Sequence, residues 1–218
     1  MAVLFDLDGT LVETRQDIAT GVNLLLVERG YAPMPVDAVA RYVGHGARNL
    51  ITRCLEESGA PSSSADDLEQ ALHRFRIHYG AHLLETTHAY PGIPDLLGRL
   101  ARAGIALAVV TNKPEDLSRG ILRGLDLSRF FRVVIGGESL PERKPHPGPL
   151  LQAREELAAQ QGETLMVGDS TIDIEAARAA RVAVAAVTWG FSSRESLIAA
   201  SPDYLPADPA ALGDWILG

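Results

Sequence analysis

Ala2-Val3-Leu4-Phe5-Asp6-Leu7-Asp8-Gly9-Thr10 is the stretch on which the fold turns. It reads as a short strand, residues 2–6, that runs out into two aspartates and a turn. Directly after it the apolar period changes. Ile18, Val22, Leu25 and Leu26 fall at helical spacing, and so do Ala47, Leu50, Ile51, Cys54 and Leu55, then Leu68, Leu72, Phe75 and Tyr79. Turn-rich stretches at 31–35 and 58–64 separate these runs. Residues 14–83 therefore read as helical, with no strand signal. From Pro91 the pattern alternates: helix near Ile93–Leu100 closed by Gly104, strand 105–110, helix 115–123, strand 132–135, helix 147–160, strand 164–167, helix 171–180, strand 182–187, and short helices near 193–200 and 207–217. Alternating strands and helices imply right-handed crossovers and a parallel sheet. The expected architecture is an α/β fold: a doubly wound, Rossmann-like core from residues 1–13 and 84–218, with an α-helical insertion at 14–83. Linkers are expected at 11–14 and 84–90.

The bulk properties narrow the function classes. A chain of 218 residues with 46% apolar content is long enough for one domain, or a core with a small insertion, and is not a disordered chain. Its formal net charge of −8 argues against a nucleic-acid or anionic-membrane partner. Cys54 stands alone, which removes a disulfide framework or a cysteine-rich zinc site. No signal-peptide pattern or apolar run of about 18 residues is seen, so a cytoplasmic location is expected.

In doubly wound sheets ligands bind beyond the carboxyl ends of the strands. Asp6 and Asp8 follow the first strand, Thr111, Asn112 and Lys113 the second, and Gly136 to Glu138 and then Arg143-Lys144-Pro145 the third. Gly168, Asp169, Ser170 and Asp173 follow the fourth, and Thr188-Trp189-Gly190 the fifth. Singly, each has an ordinary use: Asp8-Gly9 as a turn, Thr111 or Asp169 as a helix cap, Lys144 as a loop lysine. Converging on one edge, they describe a site. Several carboxylates close together repel and favour protonation unless a cation joins them. Oxygen-only ligands suit Mg²⁺, which also offsets the charge of a phosphate. Thr111 and Lys144 can donate to phosphate oxygens. One carboxylate can attack phosphorus while a second handles the proton of the leaving oxygen. If extended geometry continued past the strand, it would return Asp6 and Asp8 to one face.

Asp6-Leu7-Asp8-Gly9-Thr10-Leu11-Val12, Val109-Val110-Thr111-Asn112-Lys113, Arg143-Lys144-Pro145-His146-Pro147 and Gly168-Asp169-Ser170-Thr171-Ile172-Asp173 resemble, in order, the four motifs of the haloacid dehalogenase-like phosphohydrolase superfamily. The likeness spans essentially the whole chain, and the helical insertion lies where that superfamily places a C1-type cap. The resemblance implies that Asp6 is the nucleophile and a metal ligand. It implies that Asp8 is the general acid/base and gives Mg²⁺ its backbone carbonyl. Thr111 with Asn112 and Lys144 would hold phosphate, Asp169 would ligate the metal, and Asp173 would be a supporting carboxylate that orients the metal shell or Lys144. The second aspartate, Asp8, separates phosphatases from the dehalogenase branch. Asp17-Ile18, Tyr42 to Leu50, Tyr90-Pro91-Gly92 and Thr188-Trp189-Gly190-Phe191 are similar to the phosphoglycolate phosphatase branch, which implies 2-phosphoglycolate as substrate. Pyrophosphatase, sugar-phosphate mutase or phosphatase, and a non-catalytic phospholigand binder remain the alternatives. The partner expected is a small phosphorylated metabolite, with no nucleic acid or membrane, in a monomer or homodimer.

Since the four motifs account only for the phosphoryl group, selectivity is expected from the insertion. There Arg48 offers a guanidinium fork and His45 a ring at a helix start. The competing use of Arg48 is an ion pair with a surface acid. Gly44 to Asn49 lacks the last glycine of a dinucleotide loop and follows no strand. His78 and His82, four apart, read as a solvated helix face in preference to a zinc site. No Walker-type Gly-Lys loop occurs.

Overall fold

The structure, a computed structural model, describes residues 1–62 and 64–218. The turn-rich stretch 58–64 thus includes one position, Ser63, outside the described residues. In chain order the elements are β1 (Ala2–Phe5), β2 (Val12–Glu13), α1 (Arg15–Glu28), α2 (Val36–Ala40), α3 (Ala47–Glu57), α4 (Ala65–Ala81), β3 (His88–Ala89) and α5 (Ile93–Arg102). Then come β4 (Ala106–Val110), α6 (Glu115–Gly124), β5 (Val133–Ile135), α7 (Gly148–Glu156), β6 (Thr164–Gly168), α8 (Thr171–Ala180), β7 (Ala183–Ala186), α9 (Arg194–Ala199) and α10 (Pro209–Leu217).

The chain forms two compact units, one of Met1–Glu13 with Ala89–Gly218 and one of Thr14–His88. The first is a doubly wound α/β layer structure. Its sheet runs β5-β4-β1-β6-β7, and every pairing in it is parallel. Leu4 stands level with Ala108 on one side and Met166 on the other. Strand residues alternate between faces. Ala2, Leu4, Val110, Ile135 and Met166 pack with Leu150 and Ala153 of α7, Ile174 and Ala177 of α8, and Leu197 of α9. Val3, Phe5, Leu107 and Val109 are equally buried, and α5 packs on β4 with α10 against it. The strands are apolar on both faces because helices cover both. Each fully buried Leu, Val or Phe contributes about 1.5–3 kcal/mol.

The topology fixes where a ligand belongs. From β1 the chain reaches β4 and β5 on one side, then crosses to β6 and β7 on the other. The switch in strand order therefore falls at β1, and the crevice outside its carboxyl end is the binding position of such sheets.

The second unit is helical. α1 packs against α4 and α2, and α3 against α4. Gly21 is required there, because a Cβ would come within 2.8 Å of Tyr79 Cβ. This unit extends to His88, past the residue 83 expected from periodicity. Buried Asp17 on α1 explains the extension. Its carboxylate accepts from the N–H groups of Thr86 and Thr87, at 3.0 and 2.8 Å, and from the Thr86 hydroxyl at 2.6 Å. Burial alone would raise the pKa of Asp17, but these bonds outweigh it and hold it below the usual value.

Three details depart from the periodicity. Short strands β2 and β3 occupy stretches read as linkers, and α2 is a five-residue helix too short to show a period. Helix α7 ends at Glu156 rather than 160, because Ala158 takes a left-handed conformation.

Candidate active site

Asp6 is placed by the sheet itself. Its N–H donates to Val167 O at 2.8 Å, so the ladder between β1 and β6 continues one residue past β1. The chain then turns. Gly9 has φ +80° and its N–H donates to Val12 O at 2.9 Å, while Leu11 N–H bonds Leu7 O at 3.0 Å. The two carboxylates take different partners. Lys144 Nζ lies 2.9 Å from Asp6 Oδ1, whereas Lys113 Nζ lies 3.0 and 3.1 Å from the two oxygens of Asp8.

The fourth segment adds two more carboxylates. Ser170 is the N-cap of α8, so the capping role considered for Asp169 falls to its neighbour. Ser170 and Asp173 form a capping box, in which Asp173 N–H donates to Ser170 Oγ at 3.4 Å and Ser170 N–H to Asp173 Oδ2 at 3.2 Å; the Ser170 hydroxyl also donates to Oδ2 at 2.6 Å. The other oxygen of Asp173 accepts from Lys144 Nζ at 2.6 Å. Asp173 therefore orients Lys144 as well as starting the helix. Asp169 accepts from Phe191 N–H at 2.6 Å and from the Thr10 hydroxyl at 3.4 Å.

Two glycines let Asp169 in. A Cβ on Gly9 would overlap the Asp169 carboxylate, and one on Gly190 would overlap both Asp169 and the Gly9 carbonyl. Trp189 completes this wall by donating its indole N–H to Thr10 O at 3.1 Å. The stretch after β7 thus shapes the site through the Phe191 N–H, the small size of Gly190 and the Trp189 indole.

Thr111 is buried at the end of β4, its N–H on Ile135 O at 3.0 Å and its hydroxyl accepting from Lys113 N–H at 3.2 Å. Asn112, read as a phosphate-holding residue, donates its side-chain amide to Lys144 O at 2.8 Å. In this arrangement it holds the segment that carries Lys144. Lys113 belongs to the second motif but carries no role in the sequence reading; the signal present was a lysine at an acidic sheet edge. His45 and Arg48 lie in the second unit, both exposed, at the start of α3. The Arg48 guanidinium pairs with Glu69 of α4. His78 bonds Glu28 and His82 bonds Glu85, so both serve helix-surface pairs.

The electrostatics follow from the burial. Oxygens of Asp6, Asp169 and Asp173 lie within 4.8 Å of one another. Burial, reinforced by the Asp173 and Asp8 charges against the pull of Lys144, raises the pKa of Asp6 to about 6. Burial and the charges of Asp173 and Asp6 push Asp169 well above the ordinary carboxylate range. For Lys144, burial pulls downward but the two carboxylates prevail, and its pKa rises to about 12. Three buried carboxylates share one ammonium group, that of Lys144, so ionising all of them would leave excess negative charge in the cluster. A hard divalent cation offsets that charge, and an all-oxygen donor set is the one Mg²⁺ takes. The residues present therefore fit the metal. Asp6 and Asp169 offer carboxylate oxygens, while Asp173 is committed to Lys144 and Ser170. The side chain of Asp8 is committed to Lys113.

The haloacid dehalogenase-like hydrolase family profile matches residues 3–187. The phosphoglycolate phosphatase of Rhodospirillum rubrum is 41% identical over 218 residues, covering 99% of this chain and 90% of that protein. That of Neisseria meningitidis is 37% identical over 217 residues, covering 100% and 89%. Among solved structures, one described as a predicted phosphoglycolate phosphatase from Haemophilus somnus 129pt superposes with a TM-score of 0.92 at 31% identity, covering 98% of this chain and 96% of that one. With its four motifs gathered at one sheet edge, the chain belongs to the haloacid dehalogenase-like hydrolase family, as a phosphoric monoester hydrolase of the phosphoglycolate phosphatase-like kind.

Proposed function

We propose that the protein is a Mg²⁺-dependent phosphatase that hydrolyses 2-phosphoglycolate through an aspartyl phosphate on Asp6. One observation carries the reading. Asp6 stands at the switch point of the sheet with Lys144 Nζ at 2.9 Å, inside a buried cluster of three carboxylates whose oxygens lie within 4.8 Å of one another.

The residues divide the work. Lys144 and Thr111 donate to the non-bridging oxygens of the phosphoryl group, with Asn112 holding the Lys144 segment in place. Asp6 Oδ attacks phosphorus, and the bond from phosphorus to the alkyl oxygen breaks. Asp8 gives its proton to the departing oxygen, which leaves as the alcohol. Asp8, now a carboxylate, takes a proton from water as that water attacks phosphorus. The bond from Asp6 to phosphorus breaks, and phosphate, Asp6 and protonated Asp8 are regenerated. When bound, Mg²⁺ would neutralise phosphoryl charge and let Asp6 and Asp169 remain ionised together. Asp173 keeps Lys144 aimed through the 2.6 Å bond.

The substrate proposal rests on the relatives' names and on the second unit. We assign the helical unit the role of a cap, with Arg48 and His45 recognising the glycolate carboxylate. The Arg48–Glu69 pair is exposed, and exposed pairs are weak enough to exchange for a substrate anion.

The test is phosphate release over a panel of small phosphomonoesters, with Mg²⁺ and with chelator. Phosphoglycolate is expected to give the highest kcat/KM. Activity should vanish in chelator and return with Mg²⁺, and Ca²⁺ should replace it poorly because its shell is larger and looser. Full activity in protein shown metal-free by elemental analysis would overturn the metal assignment, and preference for another ester would overturn the substrate.

A further inference from the structure

Lys113 is an unusual residue to find where it is. Its side chain is 4% exposed, and lysines are almost never buried without a partner. Its ammonium spans both oxygens of Asp8, at 3.0 and 3.1 Å. The backbone that carries it is fixed on both sides. Its N–H donates to Thr111 Oγ1 at 3.2 Å, and its carbonyl accepts from Gly137 N–H at 2.8 Å. Next to it, Asn112 holds the Lys144 carbonyl at 2.8 Å. The three residues after β4 therefore organise both ammonium groups, Lys113 directly and Lys144 through its backbone. Each lysine takes one of the two aspartates that follow β1.

We infer that Lys113 is a positioning residue for Asp8. Its ammonium engages both oxygens of Asp8 and so fixes the orientation of that carboxylate beside the cluster around Asp6. The inference rests on the phosphatase reading above. Asp8 follows Asp6 by two residues on a turn, and both charges are buried. Without a partner the Asp8 side chain would be free to swing toward Lys144 and compete for it. Lys113 prevents this and faces Asp8 when its proton has gone to the leaving group.

A residue that acts through Asp8 leaves a particular kinetic signature. Aryl phosphates release a stable phenoxide and need little proton donation, whereas alkyl phosphates need it fully. Rates are measured with p-nitrophenyl phosphate, ethyl phosphate and phosphoglycolate for the wild type, Lys113→Met, Lys113→Arg and Asp8→Asn. General acid–base help is worth about 10²–10⁴ in rate, so Lys113→Met is expected to lower kcat on both alkyl esters at least about tenfold more than on the aryl ester, with KM little changed. Lys113→Arg keeps the charge on a fork of different reach and should fall between. It reports the same ratio if the methionine variant fails to fold. Equal losses on all three esters would mean a merely structural role, and a loss confined to phosphoglycolate would mean direct contact with the substrate carboxylate. Either result overturns the inference, as does unchanged kinetics. Asp8→Asn separates the two layers. If it lacks the alkyl-selective loss, the chemistry assigned to Asp8 has failed, and the Lys113 role fails with it. If Asp8→Asn shows the loss and the Lys113 variants do not, only the Lys113 role falls.

Discussion

Removing Lys144 exposes the electrostatic balance of the site to direct measurement. Its side chain is 2% exposed, with Asp6 Oδ1 at 2.9 Å and Asp173 Oδ1 at 2.6 Å. Lys144→Met keeps most of the aliphatic volume and deletes the charge. Breaking a buried ion pair from one side costs about 3–5 kcal/mol, because the remaining charges stay buried without compensation. Here the remaining group is a set of three carboxylates within 4.8 Å. The loss should depend on pH. Asp6 already sits near 6 because burial and neighbouring carboxylates raise it while Lys144 pulls it down, so deleting Lys144 raises it further. A carboxyl raised in the folded state adds stability while protonated, and that stability is lost as pH rises through the folded pKa. The variant should therefore be weakest above about pH 7 and recover toward about pH 5, as the cluster takes up protons. Urea unfolding of metal-free protein in chelator reads this out. With a slope of about 2 kcal/mol per molar, the midpoint should fall by roughly 1.5–2.5 M at the higher pH and by clearly less at the lower. A deficit under about 1 kcal/mol, or one identical at both pH values, would refute the picture of uncompensated carboxylates held by Lys144.

Gly190→Ala should push Asp169 and the Gly9 carbonyl apart, costing about 1–3 kcal/mol and raising the Mg²⁺ concentration needed for half-maximal activity. Gly162→Ala, where a Cβ meets nothing within 4 Å, is the matched control and should leave activity unchanged. Arg48→Ala should lower kcat/KM for phosphoglycolate about tenfold or more and spare a neutral-tailed aryl phosphate; equal losses on both would instead indicate a folding defect. Asp17→Asn should cost about 1.5–3 kcal/mol at neutral pH through its weakened bonds to Thr86 and Thr87. Because the Asp17 pKa is lowered on folding, its contribution is present above about pH 4 and lost below it, so the gap to wild type should close in acid.

The sheet was legible because each of its strands is a short apolar run ending in glycine or a polar residue, and the helices between them keep a 3.6 period. β2 and β3 were not, since two residues cannot show a period. The site's charged groups were legible as motifs: Asp6, Lys144, Asp169 and Asp173 come together as their order implied. Three features were hidden. The turn at Gly9 is one, since a φ of +80° leaves no trace beyond the glycine itself. The partnership of Lys113 with Asp8 spans 105 positions, so only the fold brings the two together. The wall formed by Gly190 and the Phe191 N–H acts through backbone, which every residue but proline carries alike.

The covalent role of Asp6 is tested most directly by rapid acid quench of enzyme turning over phosphoglycolate labelled in the phosphoryl group, followed by peptide mapping, with fluoroberyllate as a stable analogue in parallel. The account predicts label and adduct on the peptide containing Asp6, and neither on Asp6→Asn, which should still bind a phosphate analogue. Turnover of the wild type with no label on Asp6 and no adduct at that position would contradict it.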